Sequence, residues 1–346
     1  MTIFRLRRII TKWTNYEYWP WLFFYLPAVP VHIYYFLKTR YFFFNTAANP
    51  GIDNGGLFGE SKIEILNKFG DEYKAKTFFH KAGENIDNTL EILKTRNFEL
   101  PLIAKPNIGE RGDMVAKVDE MDKLAEILKV NDNKDYIIQE FVTYPLEFGV
   151  LYGRMPDEAH GKVRSIVQKR FLTVEGDGES SIGQLLLKNK RAWFQIERLE
   201  KEQPDLLKEV LLDGEQKIVE HIGNHCKGTE FINANHLISE DLNIAFDKIA
   251  KQFDGFYYGR FDLKAKTIEN FKKGETIKLF ELNGATSEPG HIYDKNYTLL
   301  KAYRDIFIEY NFVYKLCKAN ISRGVKPLSA WFMVKLILGH FKNKST

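Results

Sequence analysis

The sequence predicts a chain of mixed helices and strands with a real hydrophobic core. Length and composition come first: 346 residues, 44% of them hydrophobic, suit one large or two ordinary domains and exclude wholesale disorder. Second, short apolar runs bounded by turn residues alternate with stretches of helical period. Third, GRFDLK at 259–264 and LFELNGATSEPG at 279–290 read as two strands joined by the polar stretch ENFKKGET, whose Gly274 suits a hairpin. The formal charge of +4 is modest and does not point to a nucleic-acid binder. Two cysteines, Cys226 and Cys317, support neither a disulfide framework nor a zinc site and fit a reducing compartment.

Taken in order, NTAANPGIDNGGLFGESK at 45–62 reads as an ordered loop. It suits either an anion cradle of backbone amides or a plain connection. Ser61 or Glu60 then begins a helix through about Phe69. Residues 85–98 and 119–130 have helical spacing, and LPLIAKPNIGERG between them reads as a buried strand running into a glycine turn. DYIIQEFV, EFGVLYGR and KVRSIVQKRFLTV read as successive strands. GDGESSIGQLLLKN at 176–189 reads as turn, cap and helix, and a long charged helical region follows over about 191–222. GNHCKGTEFIN reads as a loop, 239–253 as a helix leading into the hairpin, and 297–318 as a helix.

The hairpin carries the clearest chemistry. Alternate residues of a strand share a face, so Arg260 lies beside Asp262 and Glu281 beside Asn283. If the two faces coincide, three oxygen ligands and one guanidinium converge. Such oxygens suit Mg²⁺, with nucleotide phosphates completing the shell. A surface hairpin with a salt bridge is the plainer reading, but NGATSEPG is an odd exit for a merely structural strand. In IAKPNIGERG, Lys105 ends a strand, and Gly109 and Gly112 let the turn approach phosphates closely. In QEFVTYPLEFGV, Glu140, Phe141 and Val142 can offer backbone groups to an adenine edge, and Glu147 can accept from ribose hydroxyls. Lys169 in SIVQKRFL, on a strand downstream, is a candidate for a second phosphate contact, with Lys162, Arg164 and Arg170 as competitors for that role.

The order of these motifs resembles the ATP-grasp superfamily, over about residues 100–310, and within it the carboxylate–amine ligases, including D-alanine–D-alanine ligase. TVEGDGESSIGQLL at 173–186 is also similar to the GDG segment of cyanophycin synthetase. The resemblance implies an α+β fold, with two α+β subdomains clamping ATP. It implies Lys105 and Lys169 on the phosphates, Glu140 to Val142 at the adenine and Glu147 on the ribose. Asp262, Glu281 and Asn283 would hold one or two Mg²⁺ ions, Mn²⁺ being able to substitute, and Arg260 would steady an acyl phosphate. The implied reaction is ADP-forming amide synthesis from a carboxylate and an amine, with lids at Gly109–Gly112 and Gly176–Gly178. His225 and Lys227 would line the acceptor side, orienting or deprotonating the amine and binding a carboxylate; His225 reads equally well as a loop histidine, and His291 is ambiguous in the same way. Two rival functions stay open: a kinase of the same fold acting on a hydroxyl, and a non-catalytic nucleotide-binding module.

The chain divides into an aromatic, basic segment at 1–44, a short region at 45–99, the catalytic domain at 100–320 and a basic amphipathic tail at 321–346. From Tyr18 to Leu37 no charged residue occurs, yet Pro20, Pro27 and Pro30 would break a straight spanning helix. Arg5, Arg7, Arg8 and Lys12 before it and Lys38 and Arg40 after it favour two bent amphipathic pieces on the inner leaflet, and LSAWFMVKLILGHFKNK at 328–344 offers a third. The alternative is that both ends pack on the core or on a second subunit. Ligases of this type usually carry a full α/β domain before the ATP-binding region. Only about a hundred residues precede Lys105 here, so small amino-acid substrates give way to a lipid-linked or membrane-presented carboxylate and amine. The expected location is cytoplasmic, peripheral on the inner membrane face.

Overall fold

The computed structural model describes residues 2–57, 59–109, 112–329 and 331–332. In chain order the strands are β1 (Thr77–His80), β2 (Leu102–Pro106), β3 (Ala116–Val118), β4 (Tyr136–Glu140), β5 (Leu146–Gly153), β6 (Lys162–Arg170), β7 (Leu172–Glu175), β8 (Gln216–Glu220), β9 (Glu230–Asn233), β10 (Tyr258–Ala265) and β11 (Ile277–Asn283). They form a four-stranded sheet in the order β1-β4-β2-β3, a five-stranded sheet in the order β11-β10-β5-β6-β9, and the hairpin β7-β8. Every pair is antiparallel. The chain is therefore α+β, with mixed subdomains as the ATP-grasp resemblance implies.

The smaller subdomain is built on side-chain parity. Leu102 and Ala104 of β2 point into a core with Leu93, Leu124, Leu128 and Ile138, supplied in part by the helices Ile86–Thr95 and Met121–Val130. Leu124 and Leu128 are one helical turn apart and fully buried, each worth about 2 kcal/mol of apolar burial. Lys105, of opposite parity, faces away from these helices.

The larger sheet repeats the device. Phe148 and Val150 of β5 and Phe261 and Leu263 of β10 pack with Phe246 and Phe271 from the helices Glu240–Ala250 and Ile268–Lys273. Phe148 and Phe271 stack at 4.0 Å. The intervening residues Glu147, Arg260, Asp262 and Lys264 are left on the opposite face. Tyr73–Lys76 stitches the two sheets together: Leu279 of β11 donates to the Tyr73 carbonyl and accepts from Ala75, and Lys76 accepts from Glu140 before the chain enters β1.

Several elements differ from the sequence reading. The connection 266–276 is not a plain hairpin turn but holds the helix Ile268–Lys273, capped by the Thr267 side chain and ended by Gly274 at φ 65°. The helix expected over 191–222 is broken: only Ile196–Glu202 is α-helical, and β8 occupies its end. Gln203 and Pro204 stop the helix, while Lys217 to Val219 alternate as a strand beside β7. The loop expected at 223–233 ends in β9, and β1 and β3, of four and three residues, are too short to show a period in the sequence. The Ser181 cap, by contrast, forms the capping box its sequence suggests.

The aromatic N-terminus is part of the packed molecule. Helices Trp21–Tyr25 and Val29–Thr39 lie against the long helix Leu299–Ser322 and the larger sheet, while helix Thr2–Thr14 meets the 193–197 region through Phe4 on Trp193 and Arg8 on Glu197. Phe24 is buried among Val167, Ile292, Tyr293 and Ala302, and Tyr35 stacks on Tyr314 at 4.1 Å. Glu17 receives Arg191 in a buried bidentate pair at 2.6 and 2.8 Å. The amphipathic piece expected at 328–344 lies largely outside the described residues.

Candidate active site

β10 and β11 pair so that Arg260 lies opposite Asn283 and Asp262 opposite Glu281. The two faces therefore coincide. Asp262 accepts from the Arg260 guanidinium at 3.0 and 3.1 Å and from the Asn283 amide at 3.2 Å. On its other side stands Lys169 of β6, whose Nζ is 3.3 Å from both Asp262 Oδ1 and Glu147 Oε1. Glu147 sits directly across from Lys169 in the β5–β6 register and across from Lys264 in the β5–β10 register. Lys105 reaches over from the smaller sheet, donating to Gln139 Oε1 at 3.1 Å and to the Phe280 carbonyl of β11 at 2.8 Å. Both sheets thus turn a lysine toward one cleft.

The cleft has a volume of about 2060 Å³ and takes in Lys105, Glu147, Lys169, Arg260, Asp262, Glu281 and Asn283 together. Its charges are tightly balanced. Burial pushes Lys105 down to about 8, only partly opposed by Glu281 and Asp262. Burial would also lower Lys169, but Asp262 and Glu147 outweigh it and hold its ammonium form. Burial raises the Glu147 carboxyl against the pull of Lys169 and Lys264. Asp262 stays below the usual carboxylate range because Arg260 and Lys169 overcome its burial.

The other expected residues are placed as follows. Glu140 ends β4, where its carboxylate accepts from the Lys76 amide at 2.9 Å and its own amide donates to the Lys76 carbonyl. The Val142 carbonyl accepts from Lys264 at 2.9 Å, and the Phe141 ring lies under Lys117 and Lys264. Gly112, at φ 72°, brings the turn after β2 against Ile222 and Lys227, which an added Cβ would meet at 3.2 and 3.8 Å. Gly109 accepts from Lys62 through its carbonyl. His225 lines the cleft and stacks on Tyr293 at 5.2 Å. Lys227 is beside the Gly112 turn and not among the described residues lining the cleft.

The competitors for Lys169 are engaged elsewhere: Arg164 with Glu309 at 2.6 Å and Arg170 with Glu230 at 3.3 Å. Lys162, at the start of β6, is exposed. His291 is buried between Ser165 Oγ at 2.7 Å and Asp305 Oδ2 at 3.0 Å, which accounts for it structurally.

Three site residues escaped the sequence reading. Lys264 follows Arg260 and Asp262 by the same alternation and was there to be read. Gln139 and Gly223 gave no such signal, since their roles come from cross-element contact. Gly223 leaves room for Glu147, whose Oε1 would lie 1.9 Å from an added Cβ.

Among the described residues no group of three His, Cys, Asp or Glu side chains is gathered for a metal ion. The donor set at β10–β11 is instead two carboxylates and an amide. That fits a hard cation which keeps water or phosphate oxygens in its shell.

No family model and no curated protein matches the sequence. Solved structures similar in part include D-cycloserine synthetase DcsG, with TM-score 0.41 and 10% identity over 72% of this chain and 69% of that one. VanG D-Ala:D-Ser ligase from Enterococcus faecalis gives TM-score 0.40 and 12% identity over 75% and 58%. A bifunctional glutathione synthetase from Pasteurella multocida gives TM-score 0.35 and 14% identity, covering 71% of this chain and only 35% of that one. The chain thus spans between about a third and two thirds of the length of these proteins. Its own topology, two α+β subdomains that each turn a lysine-bearing sheet toward one polar cleft, is consistent with the ATP-grasp architecture.

Proposed function

We propose that the protein is an ATP-dependent, ADP-forming ligase that joins a carboxylate to an amine through an acyl phosphate. One observation carries this reading: Lys105, Lys169 and Arg260 converge with Asp262, Glu281 and Asn283 on a single cleft. Phosphoryl transfer asks the protein for position and charge rather than covalent chemistry. Lys105 and Lys169 bind the phosphates, and Glu140 to Val142 with Glu147 receive the nucleoside. Asp262, Glu281 and Asn283 hold Mg²⁺, or Mn²⁺ in its place, which when bound neutralises phosphate charge. A substrate carboxylate attacks the γ-phosphate, ADP departs, and an amine then displaces phosphate from the acyl carbon. Arg260 faces the negative charge that develops in both steps.

The same reading places the chemistry at a membrane surface. Trp21, Leu22, Phe23, Leu26, Ile33 and Leu37 are exposed on the N-terminal helices. Arg5, Arg7, Lys12, Lys38 and Arg40 flank them and are exposed as well. Aromatic and basic side chains together suit an anionic lipid interface. No helix among the described residues is long and apolar enough to cross a membrane.

Hydroxylamine trapping tests the reaction class. Hydroxamate formed from ATP, a panel of carboxylic acids and hydroxylamine is the expected result. A stable phosphoester in place of hydroxamate would move the protein to the kinases.

A further inference from the structure

Glu288 lies in the wall of the cleft, outside the residues given above to nucleotide and metal. The strand exit fixes it: Ser287 Oγ donates to the Asn283 carbonyl at 2.7 Å and accepts from the Arg260 amide at 3.0 Å. Each carboxylate oxygen is taken by a tyrosine. Tyr293 donates to Oε1 at 3.0 Å, and Tyr25 of the N-terminal segment donates to Oε2. Tyr293 is backed by the stacked ring of His225. Glu288, Tyr25, Tyr293 and His225 line the same cleft as Arg260 and Glu281.

The partners recorded for Glu288 among the described residues are hydroxyls, not cations. The carboxylate is therefore oriented without being neutralised. Burial pushes its pKa up to about 7, opposed only by the Tyr293 hydroxyl. Among the described residues, the titratable groups whose contacts place them at Glu288 are Tyr25 and Tyr293, with His225 stacked behind Tyr293 and the backbone of Arg260 tied to the neighbouring Ser287. Trp19, Pro20, Trp21, Phe24 and Ala28, from the segment that carries Tyr25, line the same cleft and give it apolar surface. A cationic group next to an apolar body would find its complement here.

We infer that Glu288, gripped by Tyr25 and Tyr293, receives the ammonium group of the acceptor and removes its proton before attack. This rests on the ligase reading and names the acceptor as a protonated primary amine carried on an apolar or amphiphilic group. The step balances without a further reagent. One N–H bond breaks and its proton passes to a Glu288 oxygen. The freed lone pair forms the C–N bond at the acyl carbon, the C–O bond to phosphate breaks, and the second amine proton leaves with phosphate or water. Tyr25 and Tyr293 act as positioning residues. The N-terminal segment thereby contributes to the active site as well as to the surface.

Hydroxylamine is largely neutral at neutral pH, so it separates this step from acyl-phosphate formation. Glu288→Gln should still form hydroxamate from ATP, hydroxylamine and any accepted member of a panel of amino acids, short carboxylic acids and fatty acids. With primary alkylamines replacing hydroxylamine, its amide formation should fall about a hundredfold or more, and the loss should shrink as pH rises. Equal rates of amide formation in wild type and Glu288→Gln would overturn the inference, and so would equal loss with both acceptors. If wild type makes no hydroxamate at all, the ligase reading fails. Glu288 is then still read by infrared titration of the resting protein. A protonated carboxyl band that appears as pH falls through about 7 and is missing in Glu288→Gln is expected. Its absence would overturn the proton-accepting role by itself.

Discussion

Asp262 is held by more partners than a metal ligand alone would need. It meets Arg260, Lys169 and Asn283 while almost fully buried. Its charge therefore serves the fold as well as the proposed ion. Asp262→Asn should abolish turnover and also cost about 3 kcal/mol of stability, because Arg260 and Lys169 lose a buried counter-charge. Glu281, opposite it, is only partly buried. Glu281→Gln should abolish turnover at nearly unchanged stability, and thermal melts of the two variants beside activity check the contrast. Lys105 offers a test in pH. Its folded pKa of about 8 lies below the ordinary lysine value of 10.5, so the unfolded chain binds more protons between those two values. The Lys105 contribution to stability accordingly improves as pH rises through that window. Nucleotide binding runs the other way, since a triphosphate selects the ammonium form. Affinity for a magnesium–nucleotide complex should fall once pH passes about 8, and calorimetry across pH 7 to 9.5 reads it.

Close approaches between elements set the shape of the cleft. Gly223, in the loop between β8 and β9, leaves the space that the Glu147 carboxylate fills. Gly223→Ala should displace Glu147 and Lys169 and weaken nucleotide affinity about tenfold, a change of about 1.4 kcal/mol. Gly284, just past β11, lies against Gly56, whose Cα an added Cβ would meet at 2.6 Å. Gly284→Ala should lower stability by about 1–3 kcal/mol through overpacking, visible as an earlier denaturant midpoint. Neither contact could be read from sequence, since each joins residues far apart in the chain. The strands of β2, β5, β6, β10 and β11 were readable, because two-residue alternation separates the core face from the cleft face. That alternation also delivered the pairing of Arg260 with Asp262 and of Glu281 with Asn283. Short edge strands such as β3 gave too few residues to show a period. The helix Ile268–Lys273 hid in a polar stretch whose Thr267 cap and Gly274 stop were both present. Glu288 carries no signal in the sequence, because its setting depends on Tyr25, far away in the chain.

The whole molecule joins an aromatic surface to the polar cleft through one N-terminal segment. Phe24 and Tyr25 point inward, to the core and to Glu288, while Leu22, Phe23 and Leu26 are exposed. Removing residues 1–44 would therefore disturb packing as well as any lipid contact. Replacing Leu22, Phe23 and Leu26 with serine is the cleaner test. It should reduce co-sedimentation with anionic liposomes and leave nucleotide binding intact, whereas unchanged co-sedimentation would separate the surface from lipid. The central claim is that both sheets close on a magnesium-bound triphosphate, and titration calorimetry with a non-hydrolysable ATP analogue measures it most directly. Saturable binding in magnesium buffer, strongly weakened by EDTA and by Glu281→Gln, is the result expected. The absence of any binding heat at any magnesium concentration, with the protein folded, would contradict it.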